Sequence, residues 1–244
     1  MGQLSPMMQQ YMDIKAQNED TILFFRVGDF YEMFFEDAKT ASEELDIVLT
    51  GKDCGLEERA PMCGVPYHSC EAYIARLVEK GHKVAICEQV ENPATAKGLV
   101  KRDIVRIITP GNVIEDSMLE EGKNNYLAAL SFDKQSYGLC FTDASTGECY
   151  VTNIPLDKAE NKIINEISRF RPQELLIDAK LLKQLKALSE FIDIGFSGVI
   201  TEREEKSFNP KNTEHRILSH FSVVSTENLG IESGSSVSAA LGAV

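Results

Sequence analysis

Two hydrophobic periods alternate along the first 110 residues. After Ser5-Pro6, an N-cap followed by proline at the first helical position, Met7, Met8, Tyr11, Met12 and Ile14 recur at helical spacing and predict an amphipathic helix ending near Gln17. Ile22-Leu23-Phe24-Phe25, continued by Arg26-Val27, is a continuous apolar run between polar Asn18-Glu19-Asp20 and Gly28-Asp29, which predicts a strand buried on both faces. From Phe34 the period lengthens: Phe34, Ala38, Ala41 and Leu45 fall on one helical face, with Glu36, Asp37, Lys39, Glu43 and Glu44 on the other. A second strand is predicted over 46–50. Residues 51–60 read as a polar, glycine-containing loop exposing Lys52, and 61–66 as irregular backbone broken by two prolines. A helix capped by Ser69 runs to about Lys80, where Gly81 stops it. Strands over 83–89 and 104–108 flank a loop at 91–102.

Residues 112–124 are acidic and lack a period, so the domain boundary is placed there. Three short strands follow at 126–132, 137–143 and 148–153. Helix and strand then alternate: helix 158–170, strand 174–177, helix 180–189, strand 191–196, a polar stretch 201–212 and a helix over 214–221. The fold class is therefore mixed α/β (α+β) in two domains: a small mixed-sheet domain at 1–113, a linker at 114–124, and a domain at 125–244 whose element order is ribonuclease H-like. The last nine residues, SVSAALGAV, read as the first turns of an apolar helix cut in mid-course, so a truncated chain is expected.

At 244 residues and 43% hydrophobic content the chain can build two real cores. No stretch approaches the roughly 18 apolar residues that span a bilayer, and the N-terminus has no export-signal architecture, so a cytoplasmic protein away from membranes is expected. Six cysteines without a Cys-x-x-Cys pair read as reduced, mostly buried thiols, with no metal site. The net charge of −13 opposes nucleic-acid binding except through a local basic patch. No phosphate-binding loop is present, so nucleotide hydrolysis by this chain is not expected, and neither a nucleophile elbow nor a His-Glu-x-x-His motif is present.

Two constellations carry chemistry. In Gly28-Asp29-Phe30-Tyr31-Glu32, Phe30 and Glu32 stand two apart, and on extended backbone both leave from one face: a flat apolar ring beside a carboxylate. Taken alone, the six aromatics between Phe24 and Phe35 read as core. In the second half, Asp143 ends a strand with Glu148 and Asp178 as candidate neighbours. Clustered carboxylates there would hold magnesium for phosphodiester cleavage, which is the alternative reading of a metal-dependent nuclease. Asp143-Ala144-Ser145-Thr146-Gly147 is equally a tight turn capped by Asp and Ser.

LSPMMQQY, LFFRVGDFYEMFFEDAKTAS, APMCGVPYHS, VAICEQVENPATAKG and VKRDIVRIITPGN together resemble the N-terminal mismatch-recognition domain of MutS-family mismatch repair proteins. NNYLAALSF and YGLCFTDASTGE resemble the connector domain that follows it. The resemblance covers essentially the whole chain in order. It implies that Phe30 wedges into a mispaired step from the minor groove and stacks on a base, and that Glu32 hydrogen-bonds that base. Wedging suits the task because unstacking is least costly where pairing is already defective. Backbone contacts are then expected from Lys52, Arg76, Lys97, Lys101 and Arg102, with Tyr67 and His68 near the groove. The expected partners are mismatched double-stranded DNA and, through the connector, MutL. ATP or ADP with magnesium, and homodimer formation, are expected only in family domains that this chain lacks.

Overall fold

The computed structural model describes residues 3–92 and 95–244. Its backbone divides into two compact units, Met1–Thr109 and Pro110–Val244. Both are mixed α/β, the class read from the hydrophobic pattern.

In the first unit, α1 (Pro6–Lys15) begins where the Ser5 hydroxyl accepts from the Met8 N–H at 3.5 Å. The apolar run forms β1 (Ile22–Val27), and a two-residue turn at Gly28-Asp29 returns the chain as β2 (Phe30–Phe34). Gly28 has φ +58°, a conformation other residues adopt only with strain. Next come α2 (Phe35–Leu45), β3 (Thr50–Lys52), β4 (Ala60–Pro66), a 3-10 turn at Tyr67–Ser69, α3 (Glu71–Glu79), β5 (Val84–Gln89) and β6 (Arg102–Ile108). The strands form one sheet in the order β3-β4-β2-β1-β5-β6, with β1 parallel to β5 and the other neighbours antiparallel. One face packs Leu23, Phe25 and Phe34 against Met8 and Tyr11 of α1. The other buries Phe24, Met33 and Cys63, while α2 and α3 contribute Ala38, Ala41, Ile74 and Leu77 to the core. Burial of β1 on both faces is as its composition predicts.

Two expectations for this unit change. The strand expected at 46–50 is absent: Asp46 takes a left-handed C-cap conformation that ends α2, and pairing starts only at Thr50. Conversely, 61–66 is a regular strand between β3 and β2. Its prolines are tolerated because Pro61 lies past the end of β2 and Pro66 is the last residue of the strand.

In the second unit, β7 (Tyr126–Phe132), β8 (Ser136–Asp143) and β9 (Glu148–Pro155) form an antiparallel meander. They are followed by α4 (Ala159–Phe170), β10 (Glu174–Asp178), α5 (Ala179–Gln184), α6 (Lys186–Gly195), β11 (Val199–Arg203), α7 (Pro210–Phe221) and α8 (Ser236–Leu241). β10 lies parallel to β7 and β11 parallel to β10, giving the order β11-β10-β7-β8-β9. Residues 191–196, expected as a strand, belong mostly to α6, because Leu188, Phe191 and Ile192 pack on the core at helical spacing. The edge strand is instead β11, drawn partly from the stretch expected to be polar and irregular. α8 docks its first residue onto β8: a Cβ on Gly138 would lie 2.2 Å from the Ser236 carbonyl carbon.

A buried carboxylate ties the first unit together. Asp37, on the face of α2 that its sequence marks as polar, accepts from the Tyr11 hydroxyl and the Leu23 N–H, each at 2.9 Å, and pairs with Lys15 at 2.9 Å. Burial foremost, and then Asp37, push the Tyr11 phenol well above its ordinary value, so it remains a donor. Asp37→Ala would leave the buried Leu23 N–H without its acceptor and remove the anion that pairs with Lys15, lowering stability by about 3 kcal/mol. Chemical denaturation measures this, and a loss below about 1 kcal/mol would contradict the role.

Candidate nucleic-acid interface

The period of two along β2 divides its side chains between faces. Tyr31 and Met33 are buried on one; Phe30, Glu32 and Phe34 share the other. Along that second face burial falls toward the turn. Phe34 is fully buried under Tyr11 of α1, with ring centroids 5.0 Å apart, Glu32 is partly buried, and Phe30 is 47% exposed. A large ring therefore stands in solvent at the sheet's end, with a carboxylate two residues behind it. Exposure of one such ring beside a packed aromatic core is not what the core reading of this stretch predicts.

Glu32 lies opposite Phe25 on one side and Gly64 on the other. A Cβ on Gly64 would sit a tight 3.2 Å from the Tyr31 carbonyl oxygen and at an ordinary 3.6 Å from Glu32 Cγ, so the Glu32 stem lies over this residue of β4. Its counter-ion is Lys52, the last residue of β3, whose ammonium pairs with Glu32 Oε2. Lys52 is thus engaged by the acid, not a free loop cation.

Tyr67 follows Pro66, the cross-strand partner of Phe30, and its N–H donates to the Asp29 carbonyl at 3.0 Å. The Arg26 guanidinium stacks 3.5 Å from the centroid of the Tyr67 ring, donates from Nε to the Gly28 carbonyl at 2.6 Å, and pairs with Glu88 at 3.5 Å. One arginine from β1 therefore fixes both the turn that carries Phe30 and the turn that carries Tyr67 and His68. Both aromatic residues of that turn are exposed, and their rings meet edge to face. Arg26 and Glu88 escaped the sequence reading; the available signal was an arginine inside an otherwise apolar strand.

β5 runs parallel to β1, so the segment after Gln89 leaves the sheet at the level of Val27, the end that carries Phe30. Lys97 and Lys101 are exposed on that segment, with exposed Val90 and Leu99. The neck is closed by the Val90 N–H donating to the Lys101 carbonyl at 3.0 Å and the Lys101 N–H donating to Glu91 at 2.6 Å. Pro93 and Ala94 of the loop lie outside the described residues.

The structure separates the remaining cations from this end or turns them inward. Arg102 is only 8% exposed. It donates to the Arg26 carbonyl at 2.6 Å and to Gln10 Oε1 and the Val100 carbonyl at 3.0 Å, and its guanidinium lies 4.8 Å from the Phe25 ring centroid. Burial lowers its pKa, while the nearby Cys87 and Glu32 oppose that shift. It is a buried cation of the fold, so of the adjacent Lys101 and Arg102, both expected as backbone contacts, Lys101 alone is exposed. Arg76 is exposed on α3 and reaches the Glu44 carbonyl in the last turn of α2 at 3.5 Å, beside Lys80.

In the second unit the three carboxylates do not gather. Asp143 is fully buried: one oxygen accepts from the Ser145 N–H at 2.9 Å, the Ser145 hydroxyl at 2.6 Å and the Thr146 N–H at 3.4 Å, and the other from the Asn125 N–H at 3.0 Å. Burial alone would raise its pKa, but these donors outweigh it and hold the carboxyl below its ordinary value. Glu148 is opposite and exposed, accepting from Asn124 at 2.8 Å. Asp178, expected nearby, caps α5 instead. Asp143 pairs with Tyr126 while Asp178 lies one residue beyond the Ile177–Leu130 pair, which puts them about five residues, or roughly 16 Å, apart along the sheet. Asp143 serves the turn.

The family model described as MutS domain I matches residues 5–117, and that described as MutS domain II matches residues 125–244. The chain is similar to the DNA mismatch repair protein MutS of Acetivibrio thermocellus, 54% identical over 212 residues that make up 86% of this chain and 24% of that protein. The proteins of the same name from Ruminiclostridium cellulolyticum and Alkaliphilus metalliredigens are 52% and 50% identical over 91% and 94% of the chain, and 25% and 26% of their own length. The chain thus spans about a quarter of the curated relatives it matches.

Because folding lowers the Asp143 pKa, its contribution to stability is complete above the unfolded value and is lost as pH falls through the folded one. Asp143→Asn should therefore lower stability by about 2 kcal/mol at pH 7, with the gap to the parent chain narrowing in acid. Denaturation between pH 7 and pH 3 measures it; a gap that stays constant would contradict the cap. Asp133, also held below its ordinary value, keeps some acid dependence in both proteins.

Proposed function

This chain belongs to the MutS family, and from that premise we propose that its first unit tests duplex DNA for mispaired bases, with Phe30 and Glu32 as the interrogating pair. The observation that carries the proposal is the exposure of the Phe30 ring at the end of β2, with the Glu32 carboxylate on the same face. Phe30 enters the minor groove and wedges into a base step. A matched step resists, whereas a mispaired step has already lost part of its pairing energy and opens at lower cost. The wedge converts local weakness of the duplex into binding preference without reading sequence.

Glu32 makes the test two-sided. An ionised carboxylate among phosphates repels ordinary duplex and finds a partner only where a displaced base presents a donor; protonated, it donates to a ring nitrogen. Tyr67 and His68, held against the Phe30 turn by Arg26, supply neighbouring groove contacts. Lys97 and Lys101 hold the backbone. Two exposed lysines in a chain of charge −13 supply little affinity, so the rest of a full-length protein provides most of the grip.

The second unit relays DNA state to the remainder of the protein and carries the contact with MutL. ATP binding and dimer formation belong to the three-quarters of the relatives' length beyond this match, and this chain works by binding, in the cytoplasm. These assignments rest on family membership.

In a protein of the relatives' full length that carries this chain, Phe30→Ala should weaken binding to a duplex with one mispair by about tenfold or more, the worth of one lost stack, while changing matched-duplex binding far less. Competition titrations read both affinities. An unchanged mismatch-to-match ratio would overturn the proposal.

A further inference from the structure

Resting on that reading of Glu32, we propose that Lys52 is a latch: it neutralises Glu32 while the protein sits on matched duplex and releases it only at a mispair. The contact is built by the fold. Lys52 ends β3, its side chain crosses β4 on the face that carries Phe30 and Glu32, and its ammonium passes 5.7 Å from the Phe34 ring centroid to reach Glu32 Oε2. Both side chains are shielded, 29% and 14% exposed, so the pair is less screened than an ordinary surface contact.

Among the described residues, Lys52 pairs with Glu32 and Arg102 lies close enough to feel its charge, and the two cations differ in freedom. Arg102 is fixed by Gln10, Val100 and Arg26 and cannot follow an approaching phosphate. Lys52 has a single ammonium on a flexible four-carbon stem and can exchange one anion for another. Swinging it to a phosphate exposes the full Glu32 charge to the DNA. On matched duplex that charge finds no partner, so the closed pair is the stable arrangement. At a mispair a base takes the carboxylate, the phosphate takes the ammonium, and both charges are satisfied. The latch makes matched duplex tolerable to scan, and it separates recognition from mere contact.

This predicts an effect opposite to that of a simple phosphate contact. Removing the cation with Lys52→Met should weaken matched-duplex binding more than mismatched binding and so raise the mismatch-to-match ratio, on the order of fivefold for an ion pair of about 1 kcal/mol. In a Glu32→Gln background, where no charge needs neutralising, the same substitution should change the ratio by less than about twofold. The four proteins of this cycle, each at the relatives' full length, are titrated with a matched and a singly mispaired duplex at two salt concentrations. If Lys52→Met weakens both duplexes equally, and by the same factor whether residue 32 is Glu or Gln, Lys52 is a plain backbone contact and the latch is wrong. If Glu32→Gln alone leaves the ratio unchanged, the base-testing role of Glu32 fails, and the latch with it. A Lys52→Arg variant guards against a folding defect: it should restore matched binding toward the parent value, and if it behaves like Lys52→Met, the charge at this position is not what acts.

Discussion

Everything at the candidate site follows from how far one helix covers one strand. β2 alternates sides residue by residue, so Phe30, Glu32 and Phe34 must share a face. α1 lies over Phe34 and Phe25, and the cover thins toward the turn, so burial falls from complete at Phe34 to nearly half exposure at Phe30. The same packing that makes the core thereby leaves one aromatic ring outside it. The Asp37 hub fixes where α1 sits by joining Tyr11 and Lys15 to the start of β1. A helix held at the wrong height would either bury Phe30 or uncover Phe34.

Electrostatics decide how such a ring can be used in an acidic chain. The cations nearest Glu32 are committed inside the protein, Arg102 to three acceptors and Lys52 to Glu32 itself. At that end, the exposed Lys97 and Lys101 can meet a phosphate without breaking an ion pair seen among the described residues. Under the proposed function, weak attraction suits a part that leaves matched duplex readily while the rest of a full-length protein supplies the grip.

The sequence was most legible where one period ran unbroken. The two-faced burial of Ile22–Val27, the switch to helical spacing after Phe34 and the three-strand meander of the second unit all follow from the spacing of apolar residues. Local chemistry misled where tertiary pairing overrode it. Pro61 and Pro66 look like breaks, yet each falls where a missing N–H leaves no gap in the β2 ladder. Phe191–Phe196 looks like a strand, yet its apolar residues complete the helical stripe begun at Leu188. At the site, spacing placed Phe30 and Glu32 on one face, but a linear chain does not say which cations remain free. The burial of Arg102 is set by Gln10 and Val100, and the engagement of Lys52 by an acid two strands away. Arg26 is the same lesson in reverse: unremarked in an apolar run, it ties two turns together across the sheet.

The central claim is that the Phe30 ring leaves the protein surface and stacks inside the DNA. A duplex with 2-aminopurine at the mispaired position reports this directly, because its fluorescence follows how that base is stacked. In a full-length protein carrying this chain, the account predicts a clear intensity change on binding that disappears with Phe30→Ala even at saturating protein. The same change with and without the ring would contradict it.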